Sequence, residues 1–391
     1  MIERTPRAKR IRVVFVDHVA RLSGGEIALR RLLPALAALV DVHVVLGEDG
    51  PLVEQLEALG IDTEVMPLPE RLRDVRKGTV RPDRLDPVAL AYLPRYALRL
   101  SRRIGALDAD VVHTNSLKAA LYAGLAARLA RVPAVWHIRD RIATDYLPAS
   151  AVLLVRAASR ILPTAIVANS QTTIETLPPP RHGGVLYNPV VYDGVEPFEA
   201  ARTRTNDEVT VGIVGRLAPW KGQHVFLDGF AEVFRGANVR GRVIGSALFG
   251  EDEYAASLLR RAERLGISSQ IDFRGFRADV WEELSKLDVL VHCSVAPEPF
   301  GQVVLEGMAA GLAVIATAAG GPAELITSGV NGILTRPGDV GELAAALRRL
   351  QEDSSLRTEL GDAAQRRSRE FTPERAAQQL LGVYLEILGQ H

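Results

Sequence analysis

Two glutamates stand eight positions apart in the segment Glu298-Pro-Phe-Gly-Gln-Val-Val-Leu-Glu306. A carboxylate accepts several hydroxyl hydrogen bonds, so two of them suit a polyhydroxyl ligand. Between them Gly301 and Gln302 open an apolar helical run, and a glycine at a helix start lets backbone N–H groups approach an anion. Glu306 lies among Val303, Val304, Leu305 and Met308, where a buried carboxylate needs partners. The competing reading is a solvated loop glutamate followed by one on a helix surface. Upstream, Gly215-Arg216-Leu-Ala-Pro-Trp-Lys221-Gly222 directly follows a short apolar run. It is not a Walker A loop, because the first glycine is misplaced and no Ser or Thr follows Lys221. What remains is two cations on a strand-to-helix loop, an arrangement that suits a diphosphate, set against plain surface cations. A third segment, Ser23-Gly24-Gly25-Glu26, places two glycines where backbone can reach a phosphate, set against an ordinary turn.

The elements that must position these residues are short β-branched runs alternating with Leu/Ala/Arg stretches of helical period. Runs at 11–17, 42–46, 110–114, 134–138 and 165–169 read as strands, with helices such as 26–39 and 117–129 between them. The pattern restarts with strands at 209–214, 240–244, 271–273, 288–292, 313–316 and 332–334 and a helix at 223–234. Near-continuous apolar strands alternating with helices imply parallel sheets covered on both faces. The expectation is α/β: an N-terminal Rossmann-like domain over 1–190, a linker over 191–207 and a second such domain over 208–370. A long amphipathic C-terminal helix within 371–391 is expected to pack back on the first domain. Two doubly wound domains would hold a ligand in a cleft at the carboxyl ends of their strands.

Composition narrows the class. Lys and Arg balance Asp and Glu at 47 each, which gives no electrostatic case for nucleic acid. Residues 1–190 carry 26 basic against 19 acidic side chains, and the remainder 21 against 28. A basic first half fits either mutual closure of the halves or an anionic membrane surface, against a simple scatter of solvated charge. Arginine outnumbers lysine 42 to 5, so each lysine is informative. The single Cys293 excludes an internal disulfide and points to a reducing compartment. Arg4, Arg7, Lys9 and Arg10 precede an apolar run that ends at Asp17 and His18, too short and polar for a signal peptide. A cytoplasmic place is expected; an arginine-rich stretch at 72–103 or an apolar one at 151–162 could touch the inner membrane face or a lipid-linked acceptor, set against the reading of an ordinary domain helix.

Together the three glycine and charge segments resemble the retaining glycosyltransferases of family 4, with the GT-B fold of two facing Rossmann-like domains. The resemblance covers nearly the whole chain, and the Glu-x7-Glu segment with its upstream Gly-Arg and Lys-Gly carries it. It implies that Arg216 and Lys221, with Gly215, bind the diphosphate of a nucleoside-diphosphate sugar. It implies that Glu298 contacts hydroxyls of the transferred sugar and that Glu306 holds the ribose. Phe300 and the backbone of Gly301, Gln302 and Val303 would line the pocket. Arg274-Gly275-Phe276-Arg277 resembles the segment that grips the base through its backbone, and Gly24 and Gly25 would face the phosphate or the acceptor. His137 matches a histidine that in such enzymes lies beside the transferred sugar, and is alternatively a structural strand-end histidine. Pro299 and Cys293-Ser294 depart from the commoner Gly and Pro-Ser, which blurs the identity of the sugar.

The expected reaction moves a sugar to an acceptor hydroxyl, with retention implied by the resemblance. The catalytic set is Glu298, Arg216, Lys221 and His137. Strand-end residues Asp17, His18, His113, Asn115, Ser116, Arg139 and Asp140 form the candidate acceptor site for a glycan, a lipid-linked sugar or a small molecule. No Asp-x-Asp segment is placed to hold a metal, so no metal site or cofactor is expected, and protein cations are expected to replace a divalent ion. A nucleotide-sugar epimerase or hydrolase, and a non-catalytic nucleotide-sugar binder, are the alternatives. A dehydrogenase is disfavoured by the missing dinucleotide fingerprint.

Overall fold

The structure, a computed structural model, describes residues 10–69, 87–191, 209–248 and 250–389. The stretch 72–86 and the linker residues 192–207 lie outside the described residues. The chain divides into two units, one formed by residues up to Pro189 together with those from Phe371 onward, the other by Val190–Glu370.

The first unit runs β1 (Arg12–Asp17), α1 (Gly24–Ala37), β2 (Asp41–Leu46), α2 (Pro51–Ala58), β3 (Asp62–Val65), α3 (Pro87–Ala106), β4 (Val111–Thr114) and α4 (Leu117–Ala130). It continues β5 (Ala134–Ile138), α5 (Ala149–Ala158), β6 (Ala165–Ala168), the single turn α6 (Gln171–Ile174) and β7 (Gly183–Val185). The strands form one parallel sheet in the order β3-β2-β1-β4-β5-β6-β7. Alternation along β1 sends Phe15 to one face, against Leu29 and Leu33 of α1, and Val14 and Val16 to the other, against Ala97, Leu100 and Tyr122. Both faces are covered, which is why the internal strands read as continuous apolar runs.

The second unit runs β8 (Val209–Val214), a 3-10 turn (Pro219–Lys221), α7 (Gln223–Phe234), β9 (Val239–Ile244), α8 (Asp252–Arg264), β10 (Ile271–Gly275), α9 (Val280–Leu284), β11 (Val289–Val291) and α10 (Gln302–Ala309). It ends β12 (Ala313–Thr317), α11 (Pro322–Leu325), β13 (Ile333–Thr335), α12 (Val340–Glu352) and α13 (Ser354–Ser368). Its parallel sheet has the order β10-β9-β8-β11-β12-β13. The core gathers Phe226, Phe230 and Phe234 from α7 around Val211 and Ile213 of β8.

The chain then returns to the first unit as α14 (Pro373–Ile387), capped by the Thr372 hydroxyl, which accepts from Arg375 N–H. Ala376, Ala377, Leu380 and Tyr384 recur at helical spacing and are buried with Leu29, Leu32 and Leu36 of α1. Truncating the fully buried Leu380 to Ala removes about 2–5 kcal/mol.

In each sheet the strand order reverses once, between β1 and β4 in the first unit and between β8 and β11 in the second. Within each unit, residues leaving the carboxyl ends of its own strand pair therefore line a crevice of that unit. This topological fact, applied twice, brings the candidate residues together.

Candidate functional site

In the second unit the two converging ends are the loop after β8 and the loop after β11. The β8 loop carries Arg216 and Lys221, and Gly222 then caps α7 in a left-handed conformation (φ +74°). A Cβ at Gly222 would lie 1.8 Å from the carbonyl oxygen of Cys293, so only glycine lets the two loops touch. Val295 N–H donates to Trp220 O across the same junction at 2.8 Å.

The pinned loops meet at Glu298. Lys221 Nζ donates to Glu298 Oε1 at 2.6 Å, and Ser294 Oγ donates to Oε2 at 2.8 Å. His292 Nε2 lies 2.7 Å from the same Oε2. Glu298 is buried, and burial alone would raise its pKa. The Lys221 ammonium and His292 outweigh this and hold the carboxyl well below the ordinary range. Lys221 also sits 4.4 Å from the Trp220 ring centroid, and Arg216, 6.0 Å from it, pairs with Glu251 at 3.3 Å. The backbone of Glu298 is seated on Gly320 and Gly321, whose N–H donates to Glu298 O at 2.9 Å. Phe300 is buried, and Gly301 (φ +87°) starts α10, with Gln302 and Val303 in its first turn. Glu306 follows on α10, buried among Val304, Leu305 and Met308.

The segment 274–277, expected to act through its backbone, is anchored by its first side chain. Arg274 turns into its own unit and binds Glu283 through Nη2 at 3.1 Å and Nε at 3.3 Å. Glu283 is 1% exposed, and Arg242, Lys286 and Arg277 stand 3.6, 3.6 and 3.7 Å from its oxygens. Burial works to raise its pKa, but Arg274 and the other cations hold it below the ordinary range. Above this anchor the chain bulges at Gly275 (φ +66°) and leaves Phe276 exposed.

In the first unit the ends of β1 and β4 bring Asp17, His18, Asn115 and Ser116 together, and Arg139 and Asp140 follow β5. Asn115 Nδ2 donates to Asp17 Oδ2 at 2.7 Å, and Arg139 Nε donates to Asn115 Oδ1 at 2.9 Å. His18 Nδ1 lies 2.8 Å from Ser116 Oγ and 3.1 Å from Asp17 Oδ1. Arg139 also reaches Asn188 through Nη1. Tyr146 donates its hydroxyl to Asp140 at 2.8 Å. A Cβ on Gly25 would meet Arg139 Cδ at 3.2 Å, whereas one on Gly24 meets open space.

Two carboxylates here titrate apart. Burial works to raise the pKa of Asp17, but His18, Asn115 and Ser116 hold it below the ordinary range. Glu26, which accepts from Ser23 N–H at 3.1 Å, is pushed up to about 7, first by burial and then by the Asp17 charge.

Of the expected acceptor residues, His18, Ser116, Arg139 and Asp140 are part-exposed, and Asp17 and Asn115 are interior supports at 1% exposure each. His113 is corrected outright. It is fully buried, and its ring nitrogens face His137 and Tyr384 inside the first unit, so it presents nothing to an acceptor.

Two family models match the chain: "Glycosyltransferase Family 4" over residues 22–190 and "Glycosyl transferases group 1" over residues 196–367. The two models, one over each half of the chain, mark it as a family 4-like glycosyltransferase. LpsE of Rhizobium meliloti, described as a lipopolysaccharide core biosynthesis glycosyltransferase, is 30% identical over 185 residues, 47% of this chain and 50% of that protein. A D-inositol 3-phosphate glycosyltransferase of Corynebacterium urealyticum is 33% identical over 181 residues, 44% of this chain and 42% of that protein. The chain thus spans half or less of the length of these curated relatives.

Over the whole length, this glycosyltransferase is similar to HepE of Anabaena, solved with UDP and glucose. The identity is 28% and the TM-score 0.81, covering 95% of this chain and 98% of HepE. WaaG, at 18% identity and a TM-score of 0.67, shares the fold. The fold is GT-B, two parallel-sheet α/β domains.

Sequence reasoning missed His292, Glu283, Asn188 and Tyr384. His292 carried a usable signal: it ends an apolar run six residues before Glu298. Asn188 and Tyr384 act across 49 and 271 residues, which no short segment reports, and Glu283 stands nine residues from Arg274 with no local mark.

Proposed function

We propose that the protein transfers a sugar from a nucleoside-diphosphate donor to an acceptor hydroxyl, with retention at the anomeric carbon. The observation that carries this reading is the Lys221–Glu298–His292 constellation at the strand-order reversal of the second unit. Arg216 and Lys221 meet the negative charge that grows on the departing diphosphate, and each such donor contributes roughly 3 kcal/mol to the transition state. Glu298 already receives Lys221, His292 and Ser294, and its remaining lone pairs accept sugar hydroxyls. On this reading Glu298 and Glu306 are ligand-holding carboxylates, not the acid–base pair of a glycosidase.

A uridine nucleotide is the first donor to test, because HepE, so similar over its full length, was solved with UDP-glucose. The exposed Phe276 and the backbone around Gly275 suit the base. Protein cations serve where a divalent ion would, so excess EDTA leaves turnover intact. The first unit supplies the acceptor site. Its polar cluster suits a glycan or lipid-linked sugar, in keeping with a lipopolysaccharide-core relative.

The test is a thermal-shift screen of UDP, GDP, ADP, TDP and CDP with their common sugars, followed by product analysis of the responding series with and without acceptor. A ligand at 100 times its Kd adds about 2.7 kcal/mol of stability. Donor turnover without acceptor would favour an epimerase or hydrolase, and binding without turnover a non-catalytic binder.

Peripheral membrane contact belongs to the same proposal. Among the described residues no helix is long and apolar enough to cross a membrane. The outer face of α5 exposes Leu153 (71%) and Leu154 (54%), with Ile161 beyond its end and Arg160 alongside. Such a face suits an anionic bilayer. Co-sedimentation with phosphatidylglycerol vesicles that is lost in Leu153→Glu supports it; equal recovery of both proteins refutes it.

A further inference from the structure

The first unit holds a buried line of three rings. The Tyr384 hydroxyl, on α14, lies 2.9 Å from His113 Nδ1, and His113 Nε2 lies 3.2 Å from His137 Nδ1. Tyr384 and His113 are fully buried and His137 is 2% exposed. Phe15 packs on His113 with ring centroids 4.5 Å apart, which fixes the central ring. At the end of the line, His137 Nε2 is buried with no hydrogen-bond partner among the described residues. An orphaned buried nitrogen costs free energy unless something else completes it.

The direction of the line follows from donor and acceptor chemistry. Arg139 Nη2 lies 3.4 Å from His137 Nδ1, and a guanidinium only donates. His137 Nδ1 is therefore the acceptor, and the ring proton sits on Nε2. His113 must then donate through Nε2 and accept at Nδ1, so the Tyr384 hydroxyl donates. The reverse order would set Arg139 against an N–H and leave the Tyr384 proton without an acceptor.

We infer that Tyr384 and His113 are positioning residues that hold His137 as a neutral N–H donor, its Nε2 proton reserved for an acceptor oxygen of the bound substrate. An oxygen of a hydroxyl, a carboxylate or a phosphate fits; an ammonium does not. His137 is then not a general base, because its Nδ1 already faces two donors and its Nε2 carries the proton. Burial supports the neutral state: with help from Arg139 it lowers His113 to about 3 and His137 well below the ordinary range, and it keeps the Tyr384 phenol protonated. The last helix of the chain thus acts on a strand-end histidine of the first unit. The part of the inference that concerns substrate rests on the glycosyltransferase reading; the proton placement does not.

The test has two arms. In ¹⁵N-labelled protein, two-bond imidazole spectra read which ring nitrogen carries the proton, with the His137 signals assigned by their loss in His137→Asn. His113 and His137 both in the Nε2–H form support the inference, and His137 in the Nδ1–H form or doubly protonated overturns it, whether or not any donor is turned over. In the second arm Tyr384→Phe lowers kcat/KM about tenfold, the worth of one hydrogen bond, while unfolding remains cooperative. His137→Asn keeps an N–H donor and should retain more activity than His137→Leu. Adding Tyr384→Phe to His137→Asn should cost nothing further. The same fold-loss in both backgrounds would make Tyr384 merely structural and overturn the positioning role.

Discussion

The two units share a sheet topology and place their polar clusters at the same point of it, yet the clusters handle charge differently. In the second unit a lysine and a glutamate pair at 2.6 Å, and the carboxyl is held far toward its ionised form. In the first unit burial keeps His113 and His137 neutral and pushes Glu26 up to about 7. The lesson is chemical. On the proposed reading the second unit offers a diphosphate fixed charge to claim, whereas the first offers hydroxyls buried groups that are either neutral or already paired, because each unpaired charge there carries a desolvation cost.

The largest expected effect falls on the charged side. Lys221→Ala should lower kcat/KM by about 10²–10³ and abolish the stabilisation given by nucleoside diphosphates. It also strips Glu298 of its ammonium, so the unliganded protein should lose stability, by about 3–5 kcal/mol if the pair behaves as buried. Lys221→Ala with Glu298→Gln should recover most of that stability and none of the activity. If the double variant is no more stable than the single one, the pair is not a coupled charge unit and the contrast between the units fails.

The next effect separates the units by pH, and its sign differs between them. Glu298 has a depressed folded pKa, so its contribution is present above the unfolded value near 4.5 and is lost as pH falls below it. Glu26 has a raised folded pKa of about 7 against 4.5, so its contribution is full below 4.5 and is lost as pH rises through 7. The span corresponds to up to about 3 kcal/mol. Urea midpoints should therefore fall between pH 5 and 8, and Glu26→Gln should flatten that fall. An unchanged slope would mean that Glu26 ionises normally.

A smaller effect should come from Glu283. Glu283→Gln removes the anion beneath Arg274 and loosens the 274–277 segment, raising KM for the donor about tenfold with little change in kcat, the pattern of lost uniform binding. Equal losses in kcat and kcat/KM would place this segment in the chemistry instead.

How much of this was legible follows from where the information sits in the chain. Internal strands such as β1 and β5 are buried on both faces and announce themselves as apolar runs. The edge strands β3, with Asp62-Thr-Glu-Val, and β7, with Gly183-Gly-Val, pair on one side only and carry no such signature. Arg216, Lys221 and Glu298 were legible because glycines and an apolar helix frame them within short segments. Tyr384 was not, since its partner His113 is 271 residues away and only the return of α14 to the first unit joins them. Glu283 reads as one of two adjacent acids in α9, and nothing local marks it as the hub of four cations.

The smallest prediction sharpens the comparison most directly. Gly25 lies in the first turn of α1 and not in the left-handed region, so alanine there gains helix propensity, by up to about 1 kcal/mol. Its methyl would stand 3.2 Å from Arg139 Cδ, and that guanidinium links Asn115, Asn188 and His137. Gly25→Ala should therefore leave melting unchanged or slightly raised, while shifting Arg139 by a few tenths of an ångström. If the first unit handles the acceptor, acceptor KM should rise about threefold and nucleotide affinity should hold, because sites of fixed geometry lose binding on small displacements. A matching loss in nucleotide affinity would instead make the Gly24-Gly25 turn part of the phosphate site and remove the division of labour between the two units.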